Sequence, residues 1–412
     1  MFMPYINFLL AGLLACQAAA VEPAARQLTL DEAFRLAAEQ SEALAVSGVG
    51  VKQLEAAERQ LRSVLKPGIS GIASETLADG SRGKTQAAIN LNYSFLSGMR
   101  EYIAARASGL RSAAARLELA RARQNLYLGV AGAYINLSAL RQEVSVRRAQ
   151  LGVTGGRIKE LEDRAAIGRS RQSEVLASKA QLAQEEASLA AALSEENSAQ
   201  LELAFLTGLE AEVSPQAPQA PVLPPLQPYL EKARARFDVA AARRALEAAE
   251  LDADSQTRLN WPALGLDANY YLLRPAPVRD SRWDAGLTLR VPLYTGGNND
   301  AAAAQAGARA SAAKLYLALA ERSAATEVRQ AHSALEHSLS VIASLEKALA
   351  LAGENAALQA KDYGYGLVTN LDVLNAMNTV LQTRLNLDQA KARAALAATR
   401  LATAAGYGGG AE

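Results

Sequence analysis

Two short stretches of the chain alternate strictly between apolar and polar side chains. Ala87, Ile89, Leu91, Tyr93 and Phe95 interleave with Ala88, Asn90, Asn92 and Ser94, and Trp283, Ala285, Leu287, Leu289 and Val291 interleave with Asp284, Gly286, Thr288 and Arg290. A period of two puts one apolar and one polar face on a strand. At roughly ten residues, each run is long enough to cross a bilayer when tilted. Around these runs the pattern is helical. Leu30 to Leu65 and Tyr229 to about Arg258 read as helices ended by Pro67 and Pro262, and Thr29 ahead of Asp31 and Glu32 supplies a cap and an acidic first turn. After each hairpin comes a Pro-free tract rich in Ala, Leu, Arg and Glu, from Met99 to about Asp163 and from Asp300 to about Asp362. Such tracts reach roughly 95 Å as continuous helix, a length that implies coiled-coil packing. Gly-containing reversals, Ala165 to Ser170 and Tyr363 to Thr369, lead into second helices ending at Gly208 and Gly406. Gly152, Gly155 and Gly156 read as a tolerated defect near the end of the first long helix.

The same order of elements occurs twice. Gly168 falls on Gly366, Val175-Leu176 on Val373-Leu374, Leu203-Ala204 on Leu401-Ala402 and Gly208 on Gly406, all at an offset of 198. Upstream, Leu96-Ser97-Gly98 falls on Tyr294-Thr295-Gly296 in the same register. Each half is therefore one structural unit, duplicated. The expected division is a signal segment over 1–20, a first repeat over 21–208 and a Pro-rich linker over 209–228. A second repeat over 229–406 and a tail over 407–412 follow. Within the repeats the β-hairpins occupy 67–96 and 262–294, and the long helical hairpins 99–208 and 296–406. Six of the 13 prolines lie in Pro215–Pro228, which excludes helix or central strand there.

Composition narrows the function. Lys and Arg number 43 against 42 Asp and Glu, so the footprint of a nucleic-acid binder is missing. One Cys, two His and four Met rule out a disulfide framework and a soft-ligand metal cluster, and no cofactor is implied. Half of the residues are hydrophobic but only 5% are aromatic, which points to Ala-rich helices packed closely around little core. Ile6 to Ala15 form an apolar run of signal-peptide size, too short to span a bilayer. Two exits are open: cleavage at Ala18-Ala19-Ala20, or a lipobox-like Leu13-Leu14-Ala15-Cys16 that would make Cys16 the acylated first residue. Either exports the chain, and no later segment offers 18 consecutive apolar residues.

Three stretches carry a family resemblance: Leu28-Thr-Leu-Asp-Glu-Ala33, Val291-Pro-Leu-Tyr-Thr-Gly-Gly297 and Tyr363-Gly-Tyr-Gly-Leu-Val-Thr-Asn-Leu-Asp-Val-Leu-Asn-Ala376. With the duplicated arrangement behind an export signal, the chain resembles the TolC-like outer-membrane efflux family over essentially its whole mature length. The resemblance implies a mainly α fold with a small β part. Three protomers would each give four strands to one 12-stranded barrel, continued by a helical tunnel. Physics points the same way, since two isolated hairpins in lipid leave costly open edges that only other copies can close. Asn90, Asn92, Ser94, Asp284, Thr288 and Arg290 would then line a watery lumen. Tyr93, Phe95, Tyr270, Tyr271 and Trp283 would meet lipid.

The implied role is a passive exit duct of a tripartite efflux system, in the outer membrane with a long periplasmic extension. Its implied partners are a periplasmic adaptor, an inner-membrane transporter and outer-membrane lipid. Type I protein secretion uses the same architecture, and a soluble periplasmic coiled-coil scaffold is the alternative of another class. No catalytic constellation is legible. His332 and His337 are five apart and share no helix face. Ala78-Asp-Gly-Ser-Arg-Gly-Lys-Thr85 matches a loose phosphate-loop pattern but precedes a strand, so a hairpin turn fits it better.

Function concentrates instead at the helical tips. The resemblance assigns Tyr363 and Asp372 to a gate, with Asn375 where the family often has a second Asp and Val368 where it can have a basic residue. Glu174 and Asp372 occupy equivalent repeat positions, 198 apart, and Arg169 and Arg171 on the first tip could supply a cationic partner. Both acids also sit in first helical turns, where acids are favoured in any case. Gly168, Arg169, Gly366, Leu367 and Val368 resemble adaptor-docking turns.

Overall fold

A computed structural model describes residues 26–78, 81–209, 213–216, 220–274 and 281–408. The N-terminal segment with Cys16 and Ala18–Ala20 lies outside the described residues. The first half comprises β1 (Arg26–Leu28), α1 (Leu30–Gln40), α2 (Glu42–Ser63), β2 (Gly68–Ala78), β3 (Ser81–Ser97), α3 (Arg100–Ala166) and α4 (Gln172–Thr207). The second comprises β4 (Val213–Pro215), α5 (Leu226–Ala233), α6 (Phe237–Thr257), β5 (Ala263–Leu273), β6 (Trp283–Arg290), α7 (Asn298–Gly364) and α8 (Asn370–Ala405). A 3-10 turn over Arg258–Asn260 ends α6. The helices α3 and α7 have 67 residues each, about 100 Å of α-helix, while α4 and α8 have 36 each. All four begin and end 198 residues apart, the offset of the sequence match.

The helix α3 runs unbroken through Gly152, Gly155 and Gly156. Where the chain leaves the sheet, Gly98 (φ 66°) and Met99 (φ 59°) are both left-handed, as are their mates Gly296 (φ 61°) and Gly297 (φ 82°). Met99 thus occupies a conformation its mate reaches without a Cβ, at a cost of about 1 kcal/mol.

The large sheet is antiparallel in the order β2-β3-β5-β6. Cross-strand rows separate the faces. Asn90 pairs with Asn269 and Asn269 with Asp284, while Asn92 pairs with Asp267, all on one face. Ile89, Tyr270 and Trp283 form a row on the other. On the polar face, Asn90 Nδ2 donates to Asn269 Oδ1 at 2.8 Å, Asn269 Nδ2 to Asp284 Oδ1 at 3.1 Å, and Arg274 Nη2 to Asp284 Oδ2 at 2.8 Å. Tyr271 corrects the sequence reading: it follows Tyr270 on the opposite face, and its ring lies 4.1 Å under the Arg274 guanidinium. Adjacent strand residues cannot both meet lipid. Tyr93 and Phe95 do share a side, with ring centroids 4.5 Å apart, across a register shift between Ser94 and Leu96.

Two further expectations need correction. The opening helix of each repeat is split. Ser41 breaks the first and caps α2 by accepting from Leu44 N–H, while Arg234 to Arg236 separate α5 from α6. The Pro-rich linker is not free of structure either. Val213–Pro215 pairs in parallel with Arg26–Leu28, where the edge position tolerates Pro215. Pro228 lies in the first turn of α5, where its missing N–H costs nothing. Buried Tyr134 staples this contact, donating to Leu28 O at 2.7 Å and accepting from Gln216 N–H at 2.8 Å. His332 Nε2 meets Pro224 O at 3.0 Å, a structural role.

Apolar packing is thin and local. One cluster joins Leu28, Phe34, Val130, Leu137 and Leu203, and a second joins Val239, Val328, Leu335 and Leu401. At the end of α8, Arg236, with its side chain 1% exposed, grips both oxygens of Asp238, Glu327 Oε2 and the carbonyl of Ala404. Cations there complement the negative end of the helix. Burial opposes the Arg236 charge, but Asp238 and Glu327 outweigh it and raise its pKa.

Candidate functional site at the helical tips

Each hairpin turns on a left-handed glycine, Gly168 (φ 74°) or Gly366 (φ 76°), with the same backbone bonds around it. Gly168 N–H reaches Ala165 O and Arg169 N–H reaches Arg164 O, while Gly366 N–H reaches Tyr363 O and Leu367 N–H reaches Asp362 O. The turn residues Gly168, Arg169, Arg171, Gly366 and Leu367 are exposed, and Val368 is half-buried.

Below the turns the two hairpins meet in a small core of Leu161, Val175, Tyr363 and Val373, flanked by Val368 and Met377. Polar bonds cross it. Tyr363 Oη donates to Glu174 Oε2 at 3.4 Å, and the same oxygen accepts from Ser170 Oγ at 2.6 Å. The guanidinium carbons of Arg157 and Arg164 lie 4.3 and 5.3 Å from the centroid of the Tyr363 ring. Stacking of this kind holds a cation against an aromatic face. Structure thus brings Tyr363 and Glu174 together and adds two arginines that sequence reasoning did not single out.

Asn370 was also missed. It is 1% exposed, accepts from Arg157 Nε–H at 3.2 Å and donates from Nδ2 to Ser178 Oγ at 2.9 Å. One amide therefore links α8 to both helices of the first hairpin. Arg157 also pairs with Glu160 at 3.1 Å, and its Nη2 finds no acceptor among the described residues. The only hint in the sequence was the position, directly after the Thr369 cap.

Asp372 stands apart from this junction. Thr369 and Asp372 form a capping box: the carboxylate accepts from Thr369 N–H at 2.8 Å and from its hydroxyl at 2.6 Å. These two bonds, the hydroxyl first, hold the exposed Asp372 carboxyl below its ordinary range. Asn375 is exposed one turn further on, its carbonyl accepting from Thr379 Oγ1 at 2.9 Å. Arg171 caps α4 by position without a side-chain bond. No group of His, Cys, Asp and Glu among the described residues could hold a metal.

Residues 230–407 match the family model described as outer membrane efflux protein. The chain is 24% identical over 341 residues to the outer membrane efflux protein BepC of Brucella suis biovar 1 (strain 1330), covering 79% of this chain and 75% of BepC. It is 26% identical over 293 residues to the outer membrane protein TolC of Vibrio cholerae serotype O1 (strain ATCC 39315 / El Tor Inaba N16961), covering 66% of each. In fold it is similar to a crystal structure of CusC, with a TM-score of 0.84, 18% identity and 92% of both chains covered.

Proposed function

We propose, from the premise that this chain belongs to the TolC-like outer-membrane efflux family, that three copies close into one duct that is shut at the helical tips. The chain is an outer-membrane exit duct of tripartite efflux systems, not an enzyme. One observation carries the trimer: the protomer is open at both edges along its whole length. Strands β2 and β6 each have one unpaired side. Lipid cannot satisfy such edges, so three four-stranded sheets joining edge to edge remove the cost. The helices repeat the pattern. Seventeen residues of α3 are buried but only five of the equally long α7, which leaves Leu315, Tyr316, Leu351 and Leu358 exposed. On the opposite flank Val46 and Val49 of α2 and Leu201 and Phe205 of α4 are exposed. A neighbouring copy covers both flanks.

The Asn90–Asn269–Asp284 face lines the lumen, and the Ile89–Tyr270–Trp283 face meets lipid. At the far end, Tyr363–Glu174 and Arg157–Asn370–Ser178 hold the two hairpins of each protomer together and keep the tunnel narrow. The turns at Gly168–Arg169 and Gly366–Val368 receive a periplasmic adaptor, which couples the duct to an inner-membrane transporter. The exposed carboxylate of Asp372, three times around the axis, adds a cation-attracting ring. The division into two repeats, 21–208 and 229–406, joined by the linker at 209–228, places one hairpin of each kind in each half. Heat-sensitive trimers in the outer-membrane fraction are the expected result. Recovery of the chain as a soluble monomer without detergent would overturn the reading.

A further inference from the structure

About two turns above the tip junction a carboxylate is buried with no cation paired to it among the described residues. Glu185 on α4 is 8% exposed. Its oxygens are taken by neutral donors: Thr154 Oγ1 of α3 donates to Oε2 at 2.8 Å, and Gln181 Nε2, one turn back on α4, donates to Oε1 at 3.1 Å. Arg147, Arg148 and Arg157 flank Thr154 on α3; Arg147 and Arg157 are paired with Glu143 and Glu160, and Arg148 makes no ion pair with Glu185 among the described residues. Burial of a charge on these terms is unfavourable, so the position calls for a reason other than stability.

The geometry supplies one. Gln181 Nε2 also donates to Asn378 Oδ1 of α8 at 3.1 Å. An amide nitrogen has two hydrogens and does not accept, whereas its oxygen only accepts. Were Gln181 flipped, its oxygen would face the carboxylate and repel it. Glu185 therefore fixes which end of Gln181 faces the second hairpin. We propose that Glu185 is a positioning residue of the closed duct. It holds the Gln181 amide so that Gln181–Asn378 forms a second link between the hairpins, separate from Arg157–Asn370–Ser178. Opening then requires both layers to part. This rests on the reading of the tip junction as the gate.

Purified full-length trimers in planar bilayers test it through the closed-to-open ratio of single channels, with Asn370→Ala as the tip control. Losing one such hydrogen bond per protomer corresponds to roughly a fivefold change. Glu185→Leu and Asn378→Leu should each raise the open fraction by at least about that factor, and the double variant by no more than either alone. Glu185→Gln should fall between wild type and Glu185→Leu, because its oxygen can still accept from Gln181 but its NH2 group can equally meet a flipped Gln181 oxygen, so the amide is held less firmly. Heat-sensitive trimers on a gel establish assembly, and Asn378→Leu serves where Glu185→Leu does not assemble. A wild-type ratio in the Leu variants with a raised one in Asn370→Ala overturns the second link alone, as does a Glu185→Leu effect undiminished in the Asn378→Leu background. If Asn370→Ala is also unchanged, the gate reading falls with it.

Discussion

At the first tip, Gly168 turns the chain and α4 starts after Arg171, whose side chain makes no capping bond. At the second, Gly366 turns it through the same backbone bonds, and Thr369 and Asp372 cap α8 reciprocally. The divergence sharpens one residue further. Asn370 is buried and bonded to two helices of the other hairpin, while its mate Gln172 is exposed. The two turns share one backbone, each closed by a left-handed glycine. Side chains were free to specialise: Tyr363 at the end of α7 and Asn370 at the start of α8 supply the second tip's side of the bonds joining the hairpins. The first hairpin contributes Glu174 and Ser178 as acceptors and Arg157 as donor and stacking partner; the second contributes Tyr363 and Asn370, which meet them.

The largest test of that asymmetry is Asn370→Ala against Gln172→Ala. Removing the Asn370 amide leaves Arg157 Nε without its acceptor, while Ser178 Oγ keeps its bond to Glu174 O, and should cost about 1–3 kcal/mol, whereas Gln172→Ala should stay within about 0.5 kcal/mol. Thermal unfolding of the trimer measures both, and equal losses would erase the distinction. Gly168→Ala and Gly366→Ala probe what is shared. Nothing lies within 4 Å of the Cβ either would add, so strain alone remains, about 1–2 kcal/mol and equal at the two tips. Unequal costs would mean that the turns differ in more than side chains.

Capping gives a smaller difference. Thr369→Ala should lose about 1 kcal/mol and Arg171→Ala almost nothing. Acid sharpens this. A carboxylate held below its ordinary range stabilises the fold above its unfolded pKa and loses that contribution as pH falls through the lower folded value. The Asp372 contribution should therefore disappear in acid, and in the Thr369→Ala background the acid-linked loss at this tip should shrink but not vanish, because the backbone N–H of residue 369 still donates to the carboxylate. At the other end of the long helices, Met99→Gly should stabilise by up to about 1 kcal/mol, since Gly297 occupies the matching position. A loss on chemical unfolding would show that the Met99 side chain has a packing role that offsets its strain.

Periodicity made most of the architecture legible. The long helices were bounded to within a few residues because Ala-rich, Pro-free tracts leave no alternative, and the strands because alternation is a local signal. The breaks at Ser41 and Arg236 were missed for a different reason. Neither involves Gly or Pro, although Ser41 three residues before the Leu44 N–H it caps is a readable cap. Tyr271 was misplaced by counting aromatics without keeping the strand's parity. At the tip, Tyr363 was legible through the family resemblance and Glu174 as the repeat mate of Asp372, but the bond between the two was not. Arg157 and Asn370 were not, since one lies mid-helix and the other beside a cap, and only tertiary packing brings residues 213 apart into contact.

In the proposed duct the tips are held shut by bonds that include those of Asn370. Single-channel conductance of purified trimers, wild type against Asn370→Ala, tests this most directly. We expect a low-conductance wild type and a several-fold larger conductance in the variant, with heat-sensitive trimers retained. Equal conductance in two equally well-assembled trimers would contradict it.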